Sequence, residues 1–512
     1  MCSSDLAMSD VLLCEKKSLK NRSLANINSL KQRGSILVYY LSLLALLALI
    51  ISYSFNASRI SSEKTRLQNT SDAAAFSVAT VESRDLNFKA YTNRAMVANQ
   101  VAIAQSISIV SWARFIDRFV SNLSHITSFF PPLRAVFAGI SSAVSSAVRG
   151  LDSAINVVIF GINFLEQQLS NAQQIHHLGT VLMAREIFTN VVKKNDPDVD
   201  RSITLQHSLF IQRYLKNHES FTQRYSPEKV TRTLRSRSRQ KYTENKNRMD
   251  EFRSVTLRSR DGFSRNRTYN WMGTVYIPFD FRVKIQKTGG SELTGSSRKP
   301  DEHGNYYTWS AMDTMAFHGS YYRCSWTSGC GWRSWREFLP VAWGAAATGG
   351  ERPFDFFRGL GGRNRYANSY RVNRWASRLA ALEFNRNGST GVFNGLRSFY
   401  DIKEDGLISE APGVAVLLTK PHGNSGVRTS KYTDFGSGSS NLDVEGAGGL
   451  HKNRLSALSQ AVPYFSRPNG INVFRRSDRL REYGNLYNPF WQPRLSKLED
   501  KNRMLRLAAT LL

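Results

Sequence analysis

Apolar residues are spaced in three different ways along this chain. In RGSILVYYLSLLALLALIISYSF, which begins at Arg33, no charged residue follows the arginine, and Ser35 to Phe55 supplies twenty-one residues of continuous span. Crossing the hydrocarbon of a bilayer takes ~20 apolar residues. A core helix of a soluble protein would show one polar face, whereas the polar relief here is only Ser and Tyr. A secretory signal has an apolar region of roughly 7–15 residues and then a small-x-small cleavage site, for which Asn56-Ala57-Ser58 is a poor candidate. The pattern predicts an uncleaved transmembrane helix over 34–55, behind a cytoplasmic basic tail over 1–33. Lys16, Lys17, Lys20, Arg22, Lys31 and Arg33 precede the span, against Arg59, Lys64 and Arg66 just after it. That asymmetry predicts an amino terminus in the cytoplasm and the bulk of the chain outside.

Beyond the span the spacing becomes helical. Ile60, Leu67, Ala74, Val81 and Phe88 recur every seven residues, and the beat continues through Ala95, Ala102, Ile109 and Ile116 with no proline before Pro131. This predicts a long amphipathic helix over 56–120. Joined to the span at ~1.5 Å per residue it exceeds ~100 Å, so a bend is expected. The stripe Ile60, Leu67, Ala74, Val81, Phe88 is a candidate interaction surface, either between chains or against the chain's own domain. A further helical region is expected over 121–228, broken at Pro131-Pro132. Arg149 and Asp152 interrupt its longest apolar stretch, so amphipathic helices are expected there and no second span.

An Arg-rich segment, 229–268, follows, and then the period changes to two. Val275, Ile277, Phe279, Phe281, Val283 and Ile285 alternate with polar residues, which predicts one half-buried strand, at a sheet edge because of Pro278. GNYYTWSAMDTMAFHGSYYRC, PGVAVLLTK and SQAVPYFSR are further strand candidates, separated by glycine-rich connections such as GSGSSNLDVEGAGG. The expected class is α+β: a transmembrane helix continuing into a long amphipathic helix, a helix-rich membrane-proximal region, an exported domain with antiparallel strands over 269–495, and a C-terminal helix over 496–512.

Charge and cysteine refine this picture. Lys and Arg number 69 against 40 Asp and Glu, a net charge of +29 that favours polyanionic neighbours in general rather than any one site. Cys2 and Cys14 precede the span; Cys324 and Cys330, in YYRCSWTSGCGW, fall outside it, where a short-loop disulfide is expected over a free or metal-bound pair. The opening MCSSDL has the look of translated adapter sequence, Met8 is an alternative initiator, and residues 1–7 carry no structural weight.

SEKTRLQNTSDAAAFSVA, Ser62 to Ala79, follows an arginine-glycine and an apolar span. In this it resembles the amino-terminal module of TadG-like (TadE/TadG-like) proteins of tight-adherence, or Flp, pilus assembly. Leu67, Gln68, Asn69, Asp72, Ala73, Ala74 and Ala75 carry the resemblance, over about 31–100. Leu455 to Pro468 and Arg481 to Leu495 are similar to the closing segments of large members. The resemblance implies a pilin-like structural or assembly component in the bacterial inner membrane, single-pass and periplasm-facing, with other pilin-like or pilus-assembly subunits as partners. A processed prepilin carries Glu at the fifth position after its cleavage glycine; here that position is Tyr39, which suits an anchored assembly factor better than a major subunit.

The chemistry expected is slight. No GxSxG, HExxH or Walker loop occurs, and RGLGGRNR, Arg358 to Arg365, lacks the lysine and spacing of a phosphate loop. His176 and His177 diverge by ~100° on a helix and read as ordinary histidines. Asp196, Asp198 and Asp200 lack the glycine and distal Glu of a calcium loop. Asp434 to Ser439 is out of register for a metal-dependent adhesion site. No catalytic residue, cofactor or metal is expected. The alternatives are a tethered polyanion-binding envelope protein, in which anionic envelope polymers contact the basic segment, and a periplasmic enzyme; specific nucleic-acid binding is not expected.

Overall fold

A computed structural model describes residues 33–126, 131–199, 216, 218–227, 239–270, 274–278, 280–294, 307–327, 329–348, 372–387, 395–403, 408–421, 454–468, 480 and 482–497. It is a mixed helix and strand protein with an apolar amino-terminal helix and a strand-containing carboxy-terminal part. The expected C-terminal helix, the GSGSSNLDVEGAGG connection, RGLGGRNR, Asp200 and Asp434 to Ser439 lie outside the described residues.

Helix α1 runs from Arg33 to Ile126 and α2 from Pro131 to Asn195. Both are rich in alanine and unbranched residues and free of internal proline, which suits long helices. The 94 residues of α1 form one continuous helix. Its first part, Ile36 to Phe55, is exposed throughout. The chain divides into two compact units, one holding residues 1–67 and 419–456 and the other holding 68–418 and 457–510. In the first, Lys420 pairs with Glu63 at 2.8 Å and Lys64 donates to the Ser456 carbonyl.

In the second unit, β1 (Thr222–Tyr225) pairs with β8 (Phe399–Ile402) as a two-stranded ribbon. Helices α3 (Arg239–Arg258) and α4 (Gly262–Arg265) lead into the largest sheet, formed by β2 (Tyr269–Asn270), β3 (Val275–Ile277), β4 (Phe281–Thr294), β5 (Thr308–Ser325), β6 (Gly329–Trp332) and β7 (Arg336–Ala347). β5 lies between β4 and β7, antiparallel to both, and its far end pairs with β6. The single strand expected over 275–285 is instead a hairpin: Ile277 pairs with Phe281, and Asp280 takes a left-handed backbone at φ 55°. Alternation continues through the turn, so periodicity alone could not reveal it; Asp is among the few residues that tolerate that conformation. Helix α5 (Arg374–Asn387) packs on β7 and β5. β9 (Val414–Pro421), β10 (Arg454–Phe465) and β11 (Trp491–Leu495) form a three-stranded sheet in the order β11-β10-β9.

Helices and sheet share one core. Met96, Ile103 and Ile107 of α1 and Ile155 and Ile159 of α2 pack with Trp309 and Leu293 of the sheet. The Trp309 indole donates to Gln100 at 2.8 Å. Gly344 of β7 meets the α1 backbone so closely that any Cβ there would collide with the Ser111 carbonyl and the Phe115 amide.

The buried face of α1 does not follow the seven-residue stripe. Leu67, Ala74 and Val81 are buried, Phe88 is half-buried, and Ile109 on the same repeat is 40% exposed. A strict seven-residue repeat drifts ~20° per seven residues around a straight helix, whereas an eleven-residue repeat drifts the other way by ~20° per eleven and so keeps to one face for longer. The buried positions keep the latter period: Leu67, Val78, Lys89, Gln100 and Ser111 form one row, and Ser71, Glu82, Asn93, Ala104 and Phe115 another.

Candidate functional site

Those rows place polar side chains inside. Glu82, Asp85 and Lys89 project from one face of α1 at spacings of three and four, and α2 runs antiparallel beside them. The order is set by Asp85 with His176, Gln100 with Glu166 and Arg114 with Asp152. The Lys89 ammonium is fully buried and donates to Asp85 Oδ2 at 2.5 Å, His177 Nδ1 at 2.9 Å and Thr222 Oγ1 at 3.2 Å, with the Tyr400 ring 4.9 Å away. His176 Nδ1 lies 2.8 Å from Asp85 Oδ1 and its ring stacks on Phe88. His218, stacked on His177, places its Nε2 3.7 Å from Asp85 Oδ2 and its Nδ1 3.8 Å from Glu82 Oε1.

The adjacent histidines meet the same buried ion pair through different partners, His176 through Asp85 and His177 through Lys89. Burial penalises the charge on Asp85, but the Lys89 ammonium and the hydrogen bond from His176 outweigh it and hold the carboxyl well below its ordinary range. Burial pulls Lys89 down against the attraction of Asp85, pulls His177 down, and pushes Glu82 up. Accepting from Lys89 at Nδ1 places the proton of neutral His177 on Nε2.

Ligating atoms of Asp85, His177 and His218 lie within 4.8 Å of one another, a donor set that fits a cation. Lys89 already supplies one, with its ammonium bonded to two of the three. The cluster is thus a buried ionic junction joining α1, α2 and β1. A second junction forms around Asp313 of β5, which receives two bonds from Arg267 at 2.9 and 2.8 Å, one from Lys287 at 2.7 Å and one from Ser111 at 2.8 Å. Burial again opposes ionisation, yet the two cations lower the Asp313 pKa. Part of the Arg-rich segment is therefore structural: Arg267 is buried, Arg253 donates to the Leu293 carbonyl at 2.7 Å, and Arg260 donates to that of Ser291.

The residues that carry the family resemblance hold the closing segments. Gln68 donates to Asp72 at 3.0 Å and to Ser459 of β10 at 2.9 Å, Ser459 donates to Asp72, and Ser71 donates to the Val416 carbonyl at 3.0 Å. Leu67, Ala74 and Ala75 are buried, Ala73 is half-buried and Asn69 is exposed. Further along, Asn87 brackets Trp491, accepting from its amide at 2.9 Å and donating to its carbonyl at 2.8 Å, and Asn93 donates to the Tyr400 and Leu486 carbonyls. Cys324 and Cys330 face each other across the β5–β6 ladder with Cα atoms 3.8 Å apart and sulfurs within bonding distance. Asp198 donates its amide to Asp196, a local turn.

Glu82, Asp85, Lys89 and His218 were not singled out from sequence. For Glu82 and Lys89 a signal was present, as polar residues at eleven-residue spacing from other buried positions of α1; Asp85 sits three and four residues from them, and His218 lies outside that helix.

The fold defines a class: a mixed helix and strand protein with an apolar amino-terminal helical stretch and, after residue 67, long helices that pack polar side chains against antiparallel strands. Residues 34–81 match the Tad family model of Flp pilus-assembly TadE/G-like proteins. No curated protein and no solved structure matches the chain. The matched segment associates the chain with Flp pilus assembly. It covers both the apolar span, a helix long and apolar enough to cross a membrane, and the residues that clasp β10.

Proposed function

We propose that this chain is a non-catalytic, membrane-anchored component of a Flp/Tad-type pilus assembly apparatus, with its amino-terminal tail in the cytoplasm and residues from about 56 onward in the periplasm. The observation that carries the reading is the continuity of α1. One unbroken helix takes an exposed apolar span of 20 residues, Ile36 to Phe55, into the core of a folded domain, and the family match straddles the junction. A span that served only as a tether would need no such continuity. Other pilin-like or assembly subunits are the partners this reading requires, and the two ionic junctions are scaffolding rather than catalysis.

The test is complementation in cells that build such pili. Deleting the chain should abolish pili, full-length protein should restore them, and residues 56–512 exported behind a cleaved signal should not, at matched abundance. Normal piliation in the deletion strain, or full rescue by the released domain, would overturn the proposal.

A further inference from the structure

Over its middle, helix α2 turns polar residues inward: Asn163, Glu166, Ser170, Gln173, His177 and Thr180 are all buried, while a largely apolar seam runs along its outward side. Residues recurring every seven from Val136 to Leu178, and a second row from Ile140 to Leu182, form a seam of 14 positions with no charged residue. All are exposed except half-buried Asn171. Val157, Ile175 and Leu182 are each 72% exposed. Two rows offset by four and repeating every seven form the narrow stripe by which one helix packs along another.

We infer that this seam is the contact surface for a second copy of the same chain, with the two α2 helices antiparallel about a two-fold axis level with Ile159. The distribution of side-chain size along the seam carries the choice of partner. Four of the five small residues, Ala143, Ala147, Gly150 and Ala154, lie in its first half, and an antiparallel copy sets these and Gly161 against the larger Ile175, Asn171, Gln168, Phe164 and Val157. Ala143 meets Ile175, Ala154 meets Phe164, and Gly161 meets Val157, while Ile140 meets Leu178. A parallel copy would set small against small and leave voids, which close-packed interfaces do not tolerate. Gly150 and Gly161 have open space where a Cβ would stand, allowing close approach. The seam is about 70 Å long at ~1.5 Å per residue, and with a helix ~10–12 Å wide it offers roughly 700–800 Å² per copy. A stable interface of standard size buries about 800 Å² per partner. An isologous contact of this kind closes on itself and produces a dimer rather than a filament. The inference does not depend on the pilus reading.

The experiment uses full-length protein in its native membrane, with Cys2 and Cys14 changed to Ser and two copies carrying different tags. Ile140→Cys in one copy and Leu178→Cys in the other should crosslink on mild oxidation, whereas Ile140→Cys in both should not. Phe164→Asp, at an exposed site, should cut the crosslinked fraction by about tenfold or more while abundance stays normal. Absence of crosslinks at normal abundance would overturn the inference, as would an Ile140–Ile140 crosslink equal to the Ile140–Leu178 one. Labelling of cysteines at Val157 and Leu178 by a lipid-phase probe would overturn it too, assigning the seam to the bilayer.

Discussion

Glu166 shows at the scale of one residue what a polar-lined helix pair costs. It is fully buried; Oε2 accepts from Gln100 at 2.8 Å while Oε1 has no hydrogen-bond partner, and burial pushes its pKa from 4.5 up to about 8. An acid raised in this way stays protonated in the fold while the unfolded chain ionises. Its contribution to stability is therefore full below pH ~4.5 and is lost progressively as pH rises to about 8. Glu166→Gln keeps an acceptor oxygen for Gln100 and never ionises. The variant should match the parent in denaturant unfolding at pH 4.5 and exceed it at pH 8, by up to a few kcal/mol at ~1.4 kcal/mol per tenfold change in proton affinity. Parallel stability curves for parent and variant would refute this assignment. Asp85 behaves oppositely, because Lys89 and His176 hold it ionised, and breaking such a buried pair by removing one partner costs about 3–5 kcal/mol.

At the scale of elements, the tightest joint lies where α1 crosses β7. Gly344→Ala would drive a methyl into the Ser111 carbonyl and the Phe115 amide, both backbone atoms of a helix that cannot rotate aside. Overpacking of this sort costs ~1–3 kcal/mol. Gly331→Ala is the control, since nothing lies within 4 Å of a Cβ at that position. The first substitution should lower the urea midpoint of the folded domain and the second should leave it near the parent value; equal midpoints would show that the joint is loose. The same joint explains what could be read from the chain. Strands β5, β9 and β10 and the helical character of α1 were legible because propensity and period agree there. The period of the α1 core was misjudged because Lys89, Gln100, Glu82 and Asn93 sit where a hydrophobic count expects apolar residues. Each is buried against a partner hundreds or dozens of residues away, and only the fold brings those partners together. The β3–β4 hairpin was hidden for the opposite reason, because alternation ran undisturbed through its turn.

For the whole molecule the decisive question is which side of a membrane each end occupies. The apolar stretch Ile36 to Phe55 has a basic flank before it in sequence, and most of the chain comes after it. Net charge and fold cannot distinguish an outside domain from an inside one, but flanking charge and thiol chemistry can. A cysteine at Ser58 should react with a membrane-impermeant maleimide once the outer envelope is opened, while one at Ser29 should react only after the inner membrane is lysed. In the same cells Cys324 and Cys330, across the β5–β6 ladder, should resist alkylation until reductant is added, since an oxidising compartment preserves a short-loop disulfide. The two readouts are independent: label at Ser58 reports position, and thiol protection reports environment. Label at Ser29 in intact cells would invert the topology. Free thiols at 324 and 330 together with an unlabelled Ser58 would place the domain in the cytoplasm and remove the basis for a role in an extracellular fibre.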